Sequence, residues 1–388
     1  MTDSQTSPKP KPIQVFQPRF DIEACLDGIR ECLERGWTGI GFKTEEFERA
    51  WCSYTGLPNA HFLNSNTVGL QLALKLYKKK FNWNDGDEVI TTPLTFVSTN
   101  HAILLEGLRP VFADVDEYLC LDPESICQRI TERTRAVMFV GMGGNVGRLA
   151  EVVKFCSERK LTVILDAAHM SGTKFNGRHV GTEVDCSVFS FQAVKNLPTA
   201  DSGMICFSDP EDDKLVRQLS WLGIDKDTYA RSDVSGGSYK WLYSVEDVGL
   251  KAHGNSIMAA IALAQLPHLE GDNEIRRRMI QTYQDLLSDL PITFIPVAPN
   301  CESSFHLAQI RVPELDRDKL VDTLMAAQIF PGVHYRINTK YKMYAEAYGT
   351  CPNAEIAERE IISLPLHLHL GVADLERVAG TIRRFFDR

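Results

Sequence analysis

The strongest constraint on this chain is a rhythm in which short apolar runs alternate with helix-like segments through its first two thirds. The runs "EVITTP", "RPVFADVD", "AVMFV", "LTVILDAAH", "CSVFSF" and "GMICF" follow one another, with helices expected near 98–106 and 149–159. Runs without polar alternation are buried on both faces, the pattern of a mainly parallel sheet covered by helices on either side. The expected fold class is therefore α/β, a three-layer α/β/α large domain around a mainly parallel mixed sheet.

Upstream, "DIEACLDGIRECLERGW" places Ile22, Cys25, Leu26, Ile29 and Leu33 at helical spacing, and a second helix is expected to open at Thr44. "HFLNSNTVGLQLALKLYKKK" reads as a short strand, a turn of small polar residues and a helix. The rhythm weakens after about residue 266, where "QLPHLEGDNEIRRRMIQTYQDLL" starts a long helix. "FHLAQIRV" then reads as a strand, and "RDKLVDTLMAAQ" and "ADLERVAGTIRRFFDR" read as helices. A smaller α+β C-terminal domain is expected. The division is a flexible N-terminal arm over 1–20, a large domain over 21–266 and a small domain over 267–388. A chain of 388 residues is too long for one ordinary core.

The 42 basic and 51 acidic residues leave a net charge of −9, which argues against nucleic acid or an anionic membrane as the main partner. No stretch approaches the roughly 18 apolar residues of a spanning helix, and the proline-rich N-terminus lacks the apolar core of a signal peptide. The 10 cysteines occur singly, without C-x-x-C spacing, as expected of reduced thiols in a cytoplasmic protein. No metal site is expected.

Three places could carry chemistry. In "NSNTVGL" the backbone N–H groups of Ser65, Asn66 and Thr67 open a helix and favour a phosphate, although the same residues would serve as an ordinary cap. Asp166 ends an apolar strand, at the edge where open α/β sheets place ligands, and could accept a hydrogen bond from a cationic ring nitrogen or cap the next turn. His169 could flank the same ligand. Lys195 follows another apolar strand, and a lysine there is salt-bridged, exposed, or desolvated and reactive towards an aldehyde. Together a phosphate cradle, a carboxylate and an amine are the three handles on pyridoxal 5′-phosphate.

The blocks "GWTGIGFKTEEFE", "NSNTVGLQLAL", "GDEVITTPLTFVSTNHAI", "PVFADVD", "LDAAHMSGTKFNGRHVG", "FSFQAVKN", "GVHYR" and "ISLPLHLHL" carry a further signal. With them the chain resembles the DegT/DnrJ/EryC1/StrS family of nucleotide-sugar aminotransferases, which have the fold-type-I pyridoxal-phosphate transferase architecture. The resemblance implies that Lys195 bonds the cofactor and moves a proton, and that Asp166 keeps the pyridine nitrogen protonated. It also implies that Phe96 stacks on the ring, His169 sits near the ring hydroxyl, and Ser190, Asn66 and Thr67 hold the phosphate. L-Glutamate is the implied amino donor, and a nucleotide-linked keto-deoxysugar, first of all a 4-keto-6-deoxysugar, the acceptor. A homodimer with sites completed across the interface is implied as well.

Against the family pattern, Gln192 replaces a histidine and "DSG", Asp201 to Gly203, replaces a glycine pair. Lys251 stands where an asparagine commonly reaches a neighbouring subunit's cofactor phosphate, with Asn255 four residues on. Dehydratase relatives exchange the lysine for histidine, so retention of Lys195 favours transamination. Arg231, Lys240, Lys251 and Arg336 are the candidate cations for a diphosphate. A cyclitol-ketone aminotransferase, a pyridoxal-phosphate-dependent dehydratase and a non-catalytic regulator are the alternatives.

Overall fold

The computed structural model describes residues 11–225 and 243–387. Its main sheet contains β1 (Asn59–Leu63), β2 (Glu88–Thr91), β3 (Arg109–Phe112), β4 (Thr134–Val140) and β5 (Thr162–Asp166). After the two-residue strands β6 (Lys174–Phe175) and β7 (Arg178–His179), it gains β8 (Cys186–Ser190) and β9 (Gly203–Phe207). The order is β1-β9-β8-β5-β4-β2-β3. Within it β9 runs against both neighbours and the remaining pairs are parallel. The C-terminal ends of β1, β2, β4, β5 and β8 therefore share one edge, where β9 begins.

The missing polar alternation has the expected cause. Every residue of β2, β5, β8 and β9 is buried. Successive side chains point to opposite faces, so Phe139, Leu165 and Phe189 join one apolar cluster while Met138, Ile164 and Val188 join the other. Burying each such side chain stabilises the fold by roughly 1.5–3 kcal/mol. Helices Phe42–Thr55 and Leu149–Arg159 contribute to the first cluster and Asn66–Lys80 to the second, giving three layers.

Beyond helix Leu269–Leu287 come β10 (Thr293–Phe294), β11 (Cys301–Glu302), β12 (Ala308–Arg311) and β13 (Ile361–Leu364). β10, β12 and β13 form an antiparallel sheet. Helices Glu314–Ala326 and Val372–Phe386 pack beside it around Ile310, Leu320, Ile362 and Ile382. Among the described residues no helix is long and apolar enough to cross a membrane, and no cluster of metal-ligating side chains occurs.

Three local expectations change. The second helix starts at Phe42, not Thr44. The Thr44 hydroxyl reaches back to its first turn, accepting from the Gly41 amide at 2.9 Å and donating to the Gly41 carbonyl at 2.6 Å. The strand expected over "FHLAQIRV" begins at Ala308, so His306 lies in the preceding loop. The described part of the N-terminal arm is tied down. The Ile13 amide donates to Gln328 at 2.9 Å, Phe330 donates to the Ile13 carbonyl at 2.8 Å and Leu366 to the Val15 carbonyl at 3.1 Å. Ile13 is an apolar residue in a polar stretch, and its burial in the C-terminal cluster holds the segment in place.

Candidate active site

A cavity of about 400 Å³ opens at the shared strand edge. Each wall is a consequence of the topology. The turn after β1 supplies Ser65, Asn66 and Thr67, and the loop after β2 supplies Thr95 and Phe96. β5 supplies Asp166 with the following His169, β8 supplies Ser190, and the loop into β9 supplies Lys195, Asp201 and Ser202.

Helix Asn66–Lys80 is capped by Ser65, whose Oγ accepts from the Val68 amide at 3.3 Å. The amides of Asn66 and Thr67 are at the first turn, where a helix has no internal acceptors, and both residues line the cavity. The Asn66 side chain is already used: Nδ2 donates to the Val188 carbonyl at 2.9 Å and to Asp166 Oδ1 at 3.4 Å. The expected anion contact from Asn66 thus falls to its backbone. Gly203 makes this turn possible. A Cβ there would stand 2.6 Å from the Asn66 nitrogen and 2.7 Å from the Ser65 carbonyl carbon.

Asp166 is buried. Burial pushes its carboxyl up, while the Thr99 hydroxyl at 2.7 Å, the Ala168 amide at 3.2 Å and the nearby Lys195 charge oppose that. Burial also lowers Lys195, to about 8, against the pull of the Asp166 charge. No carboxylate lies within 4.0 Å of its amine among the described residues, so the salt-bridged alternative does not hold.

His169 Nδ1 accepts from the Gly143 amide at 3.2 Å, which assigns its proton to Nε2, 3.1 Å from the Tyr335 hydroxyl. Burial and the Lys195 charge hold His169 well below the usual histidine range, so it is neutral at pH 7. Phe96 is 58% exposed although it borders the cavity, with its ring 5.9 Å from that of Tyr335.

Several wall residues were not singled out from the sequence. His306 was read into a strand. Its ring is 4.4 Å from that of His169, and its Nδ1 lies 3.0 Å from Asn196 Oδ1. Phe16 arrives from the N-terminal segment and stacks on His306 at 5.2 Å. His334 and Tyr335 belong to the quoted "GVHYR" block, where two adjacent amphipathic rings were the available signal. Nothing local marks Thr99; its role follows from its place in the helix Val97–Leu105, from which its hydroxyl reaches Asp166 at the end of β5.

Lys251 and Arg336 are not among the described residues that line this cavity. Lys251 is exposed, with its amine 5.6 Å from the Trp221 ring centre, and Asn255 caps helix Ser256–Gln265 by accepting from the Met258 amide at 3.0 Å. Arg336 is exposed beside the Tyr341 ring at 5.6 Å. Arg231 and Lys240 lie outside the described residues.

The fold that carries this cavity has counterparts among solved aminotransferases. TlmJ from Streptoalloteichus hindustanus superposes with a TM-score of 0.89 at 30% identity, over 97% of this chain and 99% of that one. The Helicobacter pylori aminotransferase PseC, involved in the biosynthesis of pseudoaminic acid, gives 0.89 at 27%, over 97% and 100%. Spr1654 from Streptococcus pneumoniae, described as a sugar aminotransferase and solved in PLP-form, gives 0.89 at 25%, over 97% and 99%. A family model for DegT/DnrJ/EryC1/StrS aminotransferases matches residues 21–383. The chain belongs to the DegT/DnrJ/EryC1/StrS aminotransferase family.

Proposed function

We propose that the protein is a pyridoxal-phosphate-dependent aminotransferase that moves an amino group from L-glutamate to a nucleotide-linked keto-deoxysugar, first of all a 4-keto-6-deoxysugar. The observation that carries this reading is Lys195, lowered to about 8 by burial, in one cavity with the buried Asp166 carboxylate and the first-turn amides at Asn66. That donor set fits the cofactor's aldehyde, ring nitrogen and phosphate. When bound, pyridoxal phosphate supplies a carbonyl that takes up the amino group and a ring that withdraws electrons from the reacting carbon.

The protein's own contributions follow from its geometry. An amine with a pKa near neutrality can take a proton from the substrate carbon and return it, so Lys195 is the proton shuttle as well as the attachment point. Asp166 would hold a proton on the ring nitrogen of the bound cofactor. The backbone amides after β1, with Ser65, Thr67 and Ser190, bind the phosphate. Phe96 would stack on the bound ring, Tyr335 and Phe16 exclude water, and neutral His169, held through Nε2 by the Tyr335 hydroxyl, would sit near the ring hydroxyl. A homodimer is part of the reading, with Lys251 serving the neighbouring site and Arg231, Lys240 and Arg336 the substrate diphosphate. So are a large domain over 21–266, a small one over 267–388, and a cytoplasmic location.

The test is spectroscopic. Protein loaded with cofactor should show the visible band of the lysine-bound form, which L-glutamate should abolish and a nucleotide-linked keto-sugar restore. Lys195→Ala should lack the lysine-bound band. A wild-type band indifferent to L-glutamate would remove the proposed donor, and no band at all would remove Lys195 from its role.

A further inference from the structure

Arg276, on the helix Leu269–Leu287, is only 8% exposed, yet no carboxylate lies within 4.0 Å of it among the described residues. Among the described residues its one hydrogen bond runs from Nη1 to Asn273 Oδ1 at 3.3 Å. The nearby Asp272 is engaged by Arg19. A guanidinium carries five N–H donors that cannot be switched off by deprotonation, so burying one with a single long hydrogen bond is costly unless a ligand completes it.

The guanidinium borders a second, small cavity of about 20 Å³, whose wall also includes Phe16, Arg19, Lys195, Asp272, His306 and His367. Phe16, Lys195 and His306 border the larger cavity too. Burial first, and then the charges of Lys195 and Arg276 among others, hold the His306 ring well below the usual histidine range. His367 is held down to about 4, chiefly by burial, and is neutral at pH 7. Its Nδ1 accepts from the His369 amide at 3.3 Å, and its buried Nε2 has no hydrogen-bond partner, although the Gln14 carbonyl is close enough to favour a proton on the ring. The Asp272 carboxylate in this wall is taken up by Arg19, which leaves the N–H donors and charge of Arg276 facing the cavity. Its volume, roughly that of one or two waters, admits a flat carboxylate head and not a tetrahedral phosphate.

We propose that Arg276 is the carboxylate subsite for the amino donor, binding the distal carboxylate of a dicarboxylic amino acid whose amine reacts at Lys195. The α-carboxylate is bonded to the carbon that bears the amine and must stay beside Lys195. The guanidinium lines the same small cavity as Lys195 and His306, within the reach of a side-chain carboxylate. A guanidinium–carboxylate pair is planar and bidentate, which suits both the group and the shape of the space. The proposal rests on the donor reading above and deepens it.

The experiment uses cofactor-loaded wild type, Arg276→Gln and Arg276→Lys. Glutarate, an unreactive dicarboxylate, is titrated calorimetrically, with butyrate as the monocarboxylate control. The L-glutamate and L-alanine half-reactions are followed by absorbance. Wild type should bind glutarate better than butyrate. Both variants should bind glutarate and L-glutamate more weakly, about 10- to 100-fold for Arg276→Gln, with saturation by L-alanine unchanged. Arg276→Lys retains charge without the fork and covers the case in which Arg276→Gln does not fold. Glutarate binding that is absent in wild type or equal in the variants overturns the proposal, as does equal weakening towards L-alanine. Arg276-dependent glutarate binding with no wild-type response to L-glutamate would retain the subsite and refute the donor reading.

Discussion

The burial that lowers the Lys195 ammonium to about 8 works against folding. The unfolded value is 10.5, so between pH 8 and 10.5 the unfolded chain holds more protons, and stability rises with pH across that window. Below pH 8 the penalty is complete. Lys195→Met is accordingly expected to stabilise the cofactor-free protein by roughly 1–2 kcal/mol at pH 7. The difference should vanish above about pH 10.5, as chemical denaturation at several pH values would show. The donor half-reaction should slow as pH falls through about 8. Thr99 acts through Asp166: its hydroxyl favours the ionised carboxylate, so Thr99→Val should raise the carboxyl further. Cofactor affinity should then weaken about tenfold, and Thr99→Ser should restore it. An unchanged affinity by calorimetry would show that the Thr99 hydroxyl does not support the carboxylate.

At the scale of elements, the site depends on how closely β9 passes beneath the turn that follows β1. The neighbours of Gly203 are the backbone atoms of Ser65 and Asn66, which cannot yield as a flexible side chain would. Gly203→Ala is expected to cost roughly 1–3 kcal/mol and to weaken the phosphate contact, because the displaced atoms are those that bind it. A variant with unaltered denaturation midpoint and cofactor affinity would contradict this. Of the glycine pair seen in relatives, only this position is sterically obligatory. Ser202 is accommodated by a 2.7 Å hydrogen bond with Thr199.

Across the whole molecule, the N-terminal segment joins the two ends of the chain at the active site. Ile13 sits in the C-terminal apolar cluster, and three residues later Phe16 forms part of the cavity wall. Ile13→Ala should destabilise the protein by about 2–4 kcal/mol. It should also raise the saturating substrate concentration, since Phe16 would lose its anchor. Urea denaturation and steady-state kinetics would check the two effects together, and a stability loss without a kinetic one would separate Phe16 from the site.

The strands, the main helices and the residues Ser65, Asn66, Thr67, Asp166, His169, Ser190 and Lys195 were legible in the sequence. All but Ser190, which the family resemblance alone implied, depend on local pattern: unbroken apolar runs, a capped turn, and chemistry at a strand end. The order of those strands was not written in any one of them. It is set by which faces bury together, and it brings the turn after β1, the end of β5 and the end of β8 to a common edge. Tertiary structure alone decided that Thr99 meets Asp166, that Phe16 and His306 join the cavity wall, and that Arg276 is buried with no carboxylate within 4.0 Å among the described residues. Those contacts join positions as far apart as 16 and 306, and no spacing along the chain encodes a distance that arises only when separate elements pack.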